Sequence, residues 1–459
     1  MFEKQMYFSV HRRPNVIWFV TDQMRAQAMG FMGDENLRTP NLDNLARDGH
    51  AFTRAVSGAP WCCPFRGSLL TGLYPHQNGV TQTPSALNPS IPTITKPFKE
   101  AGYHTAWVGK WHLDGSNSVS HYIPPGRRGG FDYFMGYENN NNQNESYVFG
   151  SDSEEPLRVN GYETDGLTEM FISHLENHVG SKQDYQPFFA ALSVQPPHSP
   201  YVPPTDESGQ GLYYHNPQKI CLRPNVPPGK WAAEARQDLA GYYGMIENID
   251  TNLGRLRMAL KRMGIDRETY IVFFSDHGDC LGSHAQWEKS TPWEEAVRIP
   301  FIISCVGGNY NMKTGESDAP VNHVDIAPTT LGLCGIPAPE WMTGYDYSPL
   351  CIKQDRAEAH ENSHPMPESA YLQQIPRKYH RHSVNKAWRA VVTRDGWKYA
   401  CFPESDWLLF NLNDDPYEMA NLCHDTVFQP QKERLHALLA RHIEKTGDSF
   451  PLPDISLGR

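Results

Sequence analysis

The 459-residue sequence predicts an α/β protein with a mostly parallel central sheet flanked by helices, followed by a small C-terminal α+β subdomain. Three observations support this. Short apolar runs rich in Val, Ile and Phe recur along the chain, too continuous for a sheet with one wet face and suited to parallel strands buried on both sides. Longer stretches of helical period alternate with them, the order expected of a layered sheet. After about residue 345 the order changes to a hairpin, a strand and one terminal helix.

The runs at 16–20, 105–108, 188–194, 270–274 and 301–304 are read as buried parallel strands, and 41–48, 167–178 and 232–263 as helices. Further on, 390–392 and 397–400 form a hairpin around Asp395-Gly396. A strand at 409–412 and a helix at 429–444 complete the C-terminal part. The division expected is 1–370 for a catalytic α/β domain and 371–459 for the subdomain.

The residues just past each strand carry the chemistry. The first four runs lead into Asp22-Gln23, Lys110-Trp111-His112, Pro197-His198 and Asp276-His277-Gly278-Asp279. Open α/β sheets bind ligands beyond the carboxyl ends of their strands, so four strands deliver titratable groups to one edge. Taken singly, Asp22 could cap a helix, His277 could pack in a loop, and Lys110 could be a solvated lysine. Lys110 comes directly after an apolar strand beside Trp111, which argues against the last reading.

The segment Cys62-Cys63-Pro64-Phe65-Arg66-Gly67-Ser68-Leu69-Leu70-Thr71-Gly72 reads as C-x-P-x-R running into a helix. Pro64 suits a first helical turn, where an N–H has no partner to lose, and Gly72 suits the stop. Cys62 then sits at a helix N-terminus, where free N–H groups and the dipole favour an anion.

The composition sets limits. A net charge of −11 argues against general nucleic-acid binding, and an anionic ligand would need a local cationic pocket. Nine cysteines, scattered apart from Cys62-Cys63, show neither a disulfide framework nor metal-type C-x-x-C spacing. No apolar run reaches membrane-spanning length and no signal pattern opens the chain, so a cytoplasmic protein with no membrane partner is expected.

The cysteine segment, together with Thr39-Pro40-Asn41-Leu42-Asp43, Gly109-Lys110-Trp111-His112-Leu113, Ser275-Asp276-His277-Gly278, Lys289 and the closing 409–416 stretch, resembles the type I sulfatases. The resemblance runs from about residue 15 to 422 and implies the alkaline-phosphatase-like sandwich. It implies that Cys62 is oxidised to formylglycine by a maturation enzyme, and that its hydrate is the nucleophile. By the same resemblance Asp22, Gln23, Asp276 and His277 hold one divalent cation. The oxygen-rich ligand set favours Ca²⁺, with Mn²⁺ or Mg²⁺ left open. Arg66 would hold the formylglycine hydroxyl, and Lys110 and Lys289 the ester oxygens. His198 would protonate the leaving alcohol with Lys289, and His112 would act as the base that expels sulfate. Gln23 stands where many members carry Asp, and His277 where many carry Asn.

The implied substrate is a sulfate ester, small or oligosaccharide, with a sulfated sugar preferred. Arg127, Arg128 and the basic 377–389 stretch are candidates for the pocket mouth, Trp111, Trp293 and Trp388 for sugar stacking, and His284 for a supporting pocket residue. Two alternatives stand beside this. One is a phosphonate monoester or phosphodiester hydrolase of the same superfamily, whose members tend to carry Tyr and Thr in place of Lys110 and His112. The other is a non-catalytic anion binder with unmodified Cys62, suggested by Phe65 where smaller residues are commoner.

Overall fold

The computed structural model describes residues 13–150, 153–180, 185–206, 211–308, 311–353, 365–375 and 384–455. Its strands in chain order are β1 (Asn15–Asp22), β2 (Gly49–Phe52), β3 (His104–Lys110), β4 (Tyr133–Tyr137), β5 (Tyr147–Val148), β6 (Leu157–Arg158) and β7 (Phe188–Pro197), followed by β8 (Thr269–Ser275), β9 (Phe301–Cys305), β10 (Gly315–Ser317), β11 (Ser369–Gln374), β12 (Trp388–Thr393), β13 (Trp397–Cys401) and β14 (Asp406–Asn411). The central sheet has eight strands in the order β10-β2-β9-β8-β1-β7-β3-β4. β1 lies in the middle, parallel to β7 and β8.

Alternation along β1 builds a core on each face. Val16, Trp18 and Val20 join one cluster, which includes Phe65, Leu69 and Leu70 of the helix Cys62–Thr71. Ile17 and Phe19 join the other, which includes buried residues of the helices Pro40–Asp48, Glu163–Val179 and Lys230–Met263. This is the α/β sandwich the sequence predicts. Among the described residues, no helix is long and apolar enough to cross a membrane.

One strand corrects the expectation. The run at 301–304 reads as parallel, yet β9 is antiparallel to both β8 and β2. After β8 the chain forms only a 3-10 turn at Ser283–Ala285 and the short helix Glu294–Val297 before β9. With no crossover helix, the chain enters β9 from the edge where β8 ended.

The C-terminal sheet is an antiparallel meander, β11-β12-β13-β14. One face, with Tyr371, Val391, Tyr399 and Leu409, packs on Leu435 and Leu439 of the helix Gln429–Thr446. The other, with Leu372, Trp388, Ala390 and Phe410, packs on Val56 and Val297 of the larger layer. β11 straddles the expected 370/371 boundary.

Gly109, next to last in β3, has φ +104°, and a Cβ there would lie 1.9 Å from the Ser193 carbonyl oxygen of β7. Gly109→Ala should therefore lower stability by at least about 2 kcal/mol, through strained φ and backbone overlap together. A fall in the urea midpoint with unchanged slope would show it; an unchanged midpoint would contradict it.

Candidate active site

The bends after β1 and β8 are laced together. Gln23, at φ 72°, donates its N–H to Asp276 Oδ1 (3.0 Å), and Asp276 donates its own to the Thr21 carbonyl (3.1 Å). Ser275 Oγ accepts from Met24 N–H and donates to the Thr21 carbonyl. This aims Asp22, Asp276 and His277 at one point. His277 Nε2 lies 3.6 Å from Asp22 Oδ1 and 3.5 Å from Asp276 Oδ1. All three are fully buried.

Cys62 meets them from the far face. It is the first residue of its helix, which ends at Gly72 in the left-handed region. Its thiol lies 3.2 Å from His277 Nε2 and 3.6 Å from Asp22 Oδ1. Burial, and then the Asp22 charge, push the thiol up to about 12, so an unmodified Cys62 stays protonated and unreactive. One turn along, Arg66 donates to the Lys110 carbonyl (2.8 Å) and Ser193 Oγ (2.9 Å). Its guanidinium also lies 3.5 Å from both Asp22 Oδ2 and Asp276 Oδ2. Phe65 fits a slot of its own, stacked on His323 at 5.6 Å.

Three cations converge on two carboxylates: Arg66, Lys110 (Nζ 2.7 Å from Asp22 Oδ2) and Lys289. Lys289 Nζ donates to Gln23 Oε1 (2.5 Å) and to His198 Nε2 (2.8 Å). Burial would raise the Asp22 carboxyl, but Lys110 and the other cations hold it well below the usual range. Asp276 goes the other way, to about 7, through burial and the neighbouring Asp22 charge.

Two histidines flank this centre as neutral rings. His198 is lowered to about 3 by burial and Lys289, and its Nδ1 donates to the Ser199 carbonyl (2.7 Å). His112 is held well below its ordinary value by burial and Lys110. It sits at φ 57° and donates from Nε2 to Asn117 Oδ1 (3.0 Å), leaving Nδ1 buried and without a hydrogen bond.

The donor set fits a divalent cation. His277 Nδ1, 2.9 Å from the Gly278 carbonyl, carries the proton, so Nε2 presents a lone pair toward two carboxylates. Asp276 Oδ2 accepts no hydrogen bond although buried. Converging acceptors of this kind are costly without positive charge among them. Gln23 is adjacent, with its oxygen on Lys289 and its amide on Asp279 Oδ2 (2.6 Å).

The nine other sequence-predicted residues thus gather around Cys62. Others do not. Arg128 stacks over Phe134 and donates to the Ile123 carbonyl, and Arg127 pairs with Asp114. Trp111 and Trp388 are buried, leaving no face for a sugar. His284 stacks on Trp293 (3.9 Å) and accepts from Asn225 rather than reaching Cys62. Within the basic 377–389 stretch, Arg377, Lys378, His380, Arg381 and His382 lie outside the described residues.

Sequence reading missed Ser193, Asn117, Glu138 and Tyr201, whose hydroxyl donates to the Asp279 Oδ2 that also accepts from the Gln23 amide (2.6 Å each). Ser193 was visible as the one hydroxyl in an apolar strand, and Glu138 as an acid directly after β4. It missed the C-terminal hold on Lys289 as well. Trp388 donates to the Ser290 carbonyl (3.1 Å), and buried Lys398 donates to the Pro292 carbonyl (2.8 Å) while pairing with Glu294 and Glu418.

The sulfatase family profile matches residues 14–336, and the profile of the N-sulphoglucosamine sulphohydrolase C-terminal region matches 282–445. The chain belongs to the sulfatase family. This sulfatase is 34% identical over 447 residues to an ulvan-active sulfatase of Formosa agariphila, covering 97% of this chain and 84% of that one. It is 32% identical over 378 residues to an endo-4-O-sulfatase of Bacteroides thetaiotaomicron, covering 73% of each. A solved Bacteroides thetaiotaomicron protein of glycosaminoglycan metabolism superposes with TM-score 0.83 at 26% identity, covering 95% of this chain and 97% of that one. The enzyme is a sulfuric ester hydrolase with the alkaline-phosphatase-like fold, which sets aside the non-catalytic reading.

Glu138 supports the His112 loop by accepting N–H bonds from Leu113, Asp114 and Ser116. Burial pushes its carboxyl up to about 7. Both oxygens accept only when it is ionised, so the loop loosens as pH falls through that value. The sulfatase should show an acid limb in kcat near pH 7. Glu138→Gln should flatten the limb and lower the plateau by up to about 10²-fold through misplacement of His112; an unaltered limb in this variant would refute the link.

Proposed function

We propose that this sulfatase removes sulfate from a sulfated carbohydrate, using formylglycine at position 62 and Ca²⁺. The observation that carries the reading is the meeting of Asp22, Asp276 and His277 with Cys62, ringed by Arg66, Lys110 and Lys289. Three cations and a dication against two carboxylates leave a surplus positive charge, as an anionic ester requires. The carbohydrate preference rests on the ulvan-active and endo-4-O-sulfatase relatives.

A maturation enzyme reading the C-x-P-x-R core would supply the aldehyde, whose hydrate provides a nucleophilic oxygen. Asp22, Asp276 and His277, with Gln23 beside them, would hold the metal, which lends Lewis-acid polarisation when bound. Arg66, fixed by Ser193 and the Lys110 carbonyl, orients the nucleophile's hydroxyl. Lys110 and Lys289 bind the equatorial ester oxygens. His198 is too weak a base to hold a proton alone, so the acid is the Lys289–His198 pair: the proton that Lys289 Nζ donates towards Nε2 passes to the leaving alcohol and leaves the Lys289 amine neutral. The free Nδ1 of His112 takes the proton that lets sulfate depart, and Asn117 fixes the tautomer that makes it available.

Mass analysis of the peptide containing Cys62 should show the aldehyde, and Cys62→Ala should abolish turnover. Arg66→Ala should cost several orders of magnitude in kcat/KM. A panel of sulfated mono- and disaccharides, with a nitrophenyl sulfate and a phenyl phosphonate ester alongside, should rank a sulfated sugar first. Preference for the phosphonate, or an intact thiol in active enzyme, would overturn the proposal. Chelation should remove activity, and Ca²⁺ should restore it better than Mg²⁺ or Mn²⁺; the reverse order would reassign the metal.

A further inference from the structure

At the other end of β3, six residues and about 20 Å from Lys110 at a strand rise of about 3.3 Å per residue, stands a second group of nitrogen ligands. His104 is the first residue of β3, and His174 and His178 lie one turn apart on the helix Glu163–Val179. His104 Nε2 and His174 Nε2 are 3.2 Å apart. The His178 ring stacks on that of His104 at 4.5 Å. All three are partly exposed, so solvent ions can reach them.

We propose that His104, His174 and His178 form a second metal site, for a borderline transition ion such as Zn²⁺, that clips the end of this helix to the edge of the sheet. Two imidazole nitrogens bonded to one ion at about 2.1 Å, and separated as these are, subtend about 100°, close to the tetrahedral angle. The i, i+4 placement of His174 and His178 gives one helix face two ligands. His178 is the third ligand and reaches the ion by releasing the Gln186 carbonyl, to which its Nε2 now donates at 2.8 Å.

The surroundings orient both primary ligands. Tyr133 stacks on His174 at 3.7 Å and fixes its ring plane. Asp132 Oδ2, which accepts from the Thr105 N–H (3.0 Å) and hydroxyl (2.9 Å), lies 3.8 Å from His104 Nδ1, beyond hydrogen-bond reach, and places a negative charge on the side of the ring away from the ion. Lys99 pairs with the other oxygen of Asp132 at 2.6 Å. Burial and the neighbouring rings lower His104, and lower His174 to about 4, keeping both in the neutral form that a metal needs. Imidazole ligands select Zn²⁺, Ni²⁺ or Cu²⁺ over Ca²⁺ and Mg²⁺, so this site and the oxygen-rich catalytic one take different ions.

The test uses the full-length enzyme and Zn²⁺ alone. At saturation, wild type should bind one equivalent more than the His104→Gln/His174→Gln double variant, by equilibrium dialysis with metal analysis. Zinc should raise the melting temperature of wild type and not of the variant, whose turnover in zinc-free buffer should match wild type. Asp132→Asn should weaken zinc binding about 10–100-fold. Zinc-soaked crystals of wild type should give an anomalous peak between the His104 and His174 rings, a readout that stands even if the variant fails to fold. Equal zinc content in the two proteins, or no peak at the pair in a zinc-saturated crystal, would overturn the proposal.

Discussion

The structure depends on bringing two carboxylates, a histidine lone pair and a sulfur to one fully buried point. Apart from the weak thiol donor of Cys62, which points at Asp22 Oδ1, that group is made of acceptors that do not attract one another. What holds it is a ring of cations drawn from three separate elements, Arg66 from a helix, Lys110 from a strand end and Lys289 from a loop, each reaching across to an acid or amide of another. The backbone lacing of the bends after β1 and β8 removes the remaining freedom. Charge compensation and backbone geometry both draw β1, β3, β8 and the Cys62 helix together, and the sheet is the frame that permits it.

That arrangement explains the split between the carboxylates. Asp22 faces Lys110 directly and stays ionised, whereas Asp276 relies on the more distant Arg66 guanidinium. The less compensated acid, whose Oδ2 accepts no hydrogen bond, marks where positive charge is lacking. On the opposite side Lys289 keeps His198 neutral while sharing a proton with it, so a poor base can still belong to an acid.

Most of this is legible in the chain because the sheet writes its chemistry in a fixed place, within four residues after each apolar run. Asp22, Lys110, His112, His198 and Asp276 all stand there. Glu138 obeys the same rule but escapes notice, because Tyr133–Tyr137, with a glycine inside and aromatics at both ends, does not read as a buried strand. The sense of β9 is not legible either, since a wholly apolar run carries no direction and the loop before it decides. Asn117 and Tyr201 sit in loops of ordinary polar composition, and only folding shows what their side chains reach. Trp111 and Trp388 mislead for the opposite reason: a tryptophan looks alike in sequence whether it greets a sugar or fills a core.

The grip of the C-terminal sheet on the Lys289 segment has a consequence for evolution. Glu288 and Ser290 flank Lys289 at φ 63° and 70°, an uncomfortable path secured from outside by Trp388 and Lys398. The two parts of the polypeptide therefore cannot drift or be exchanged independently. A chimera carrying a foreign tail would need matching anchors for Ser290, Pro292 and Glu294, or it would inherit an intact cation cage with one bar out of place.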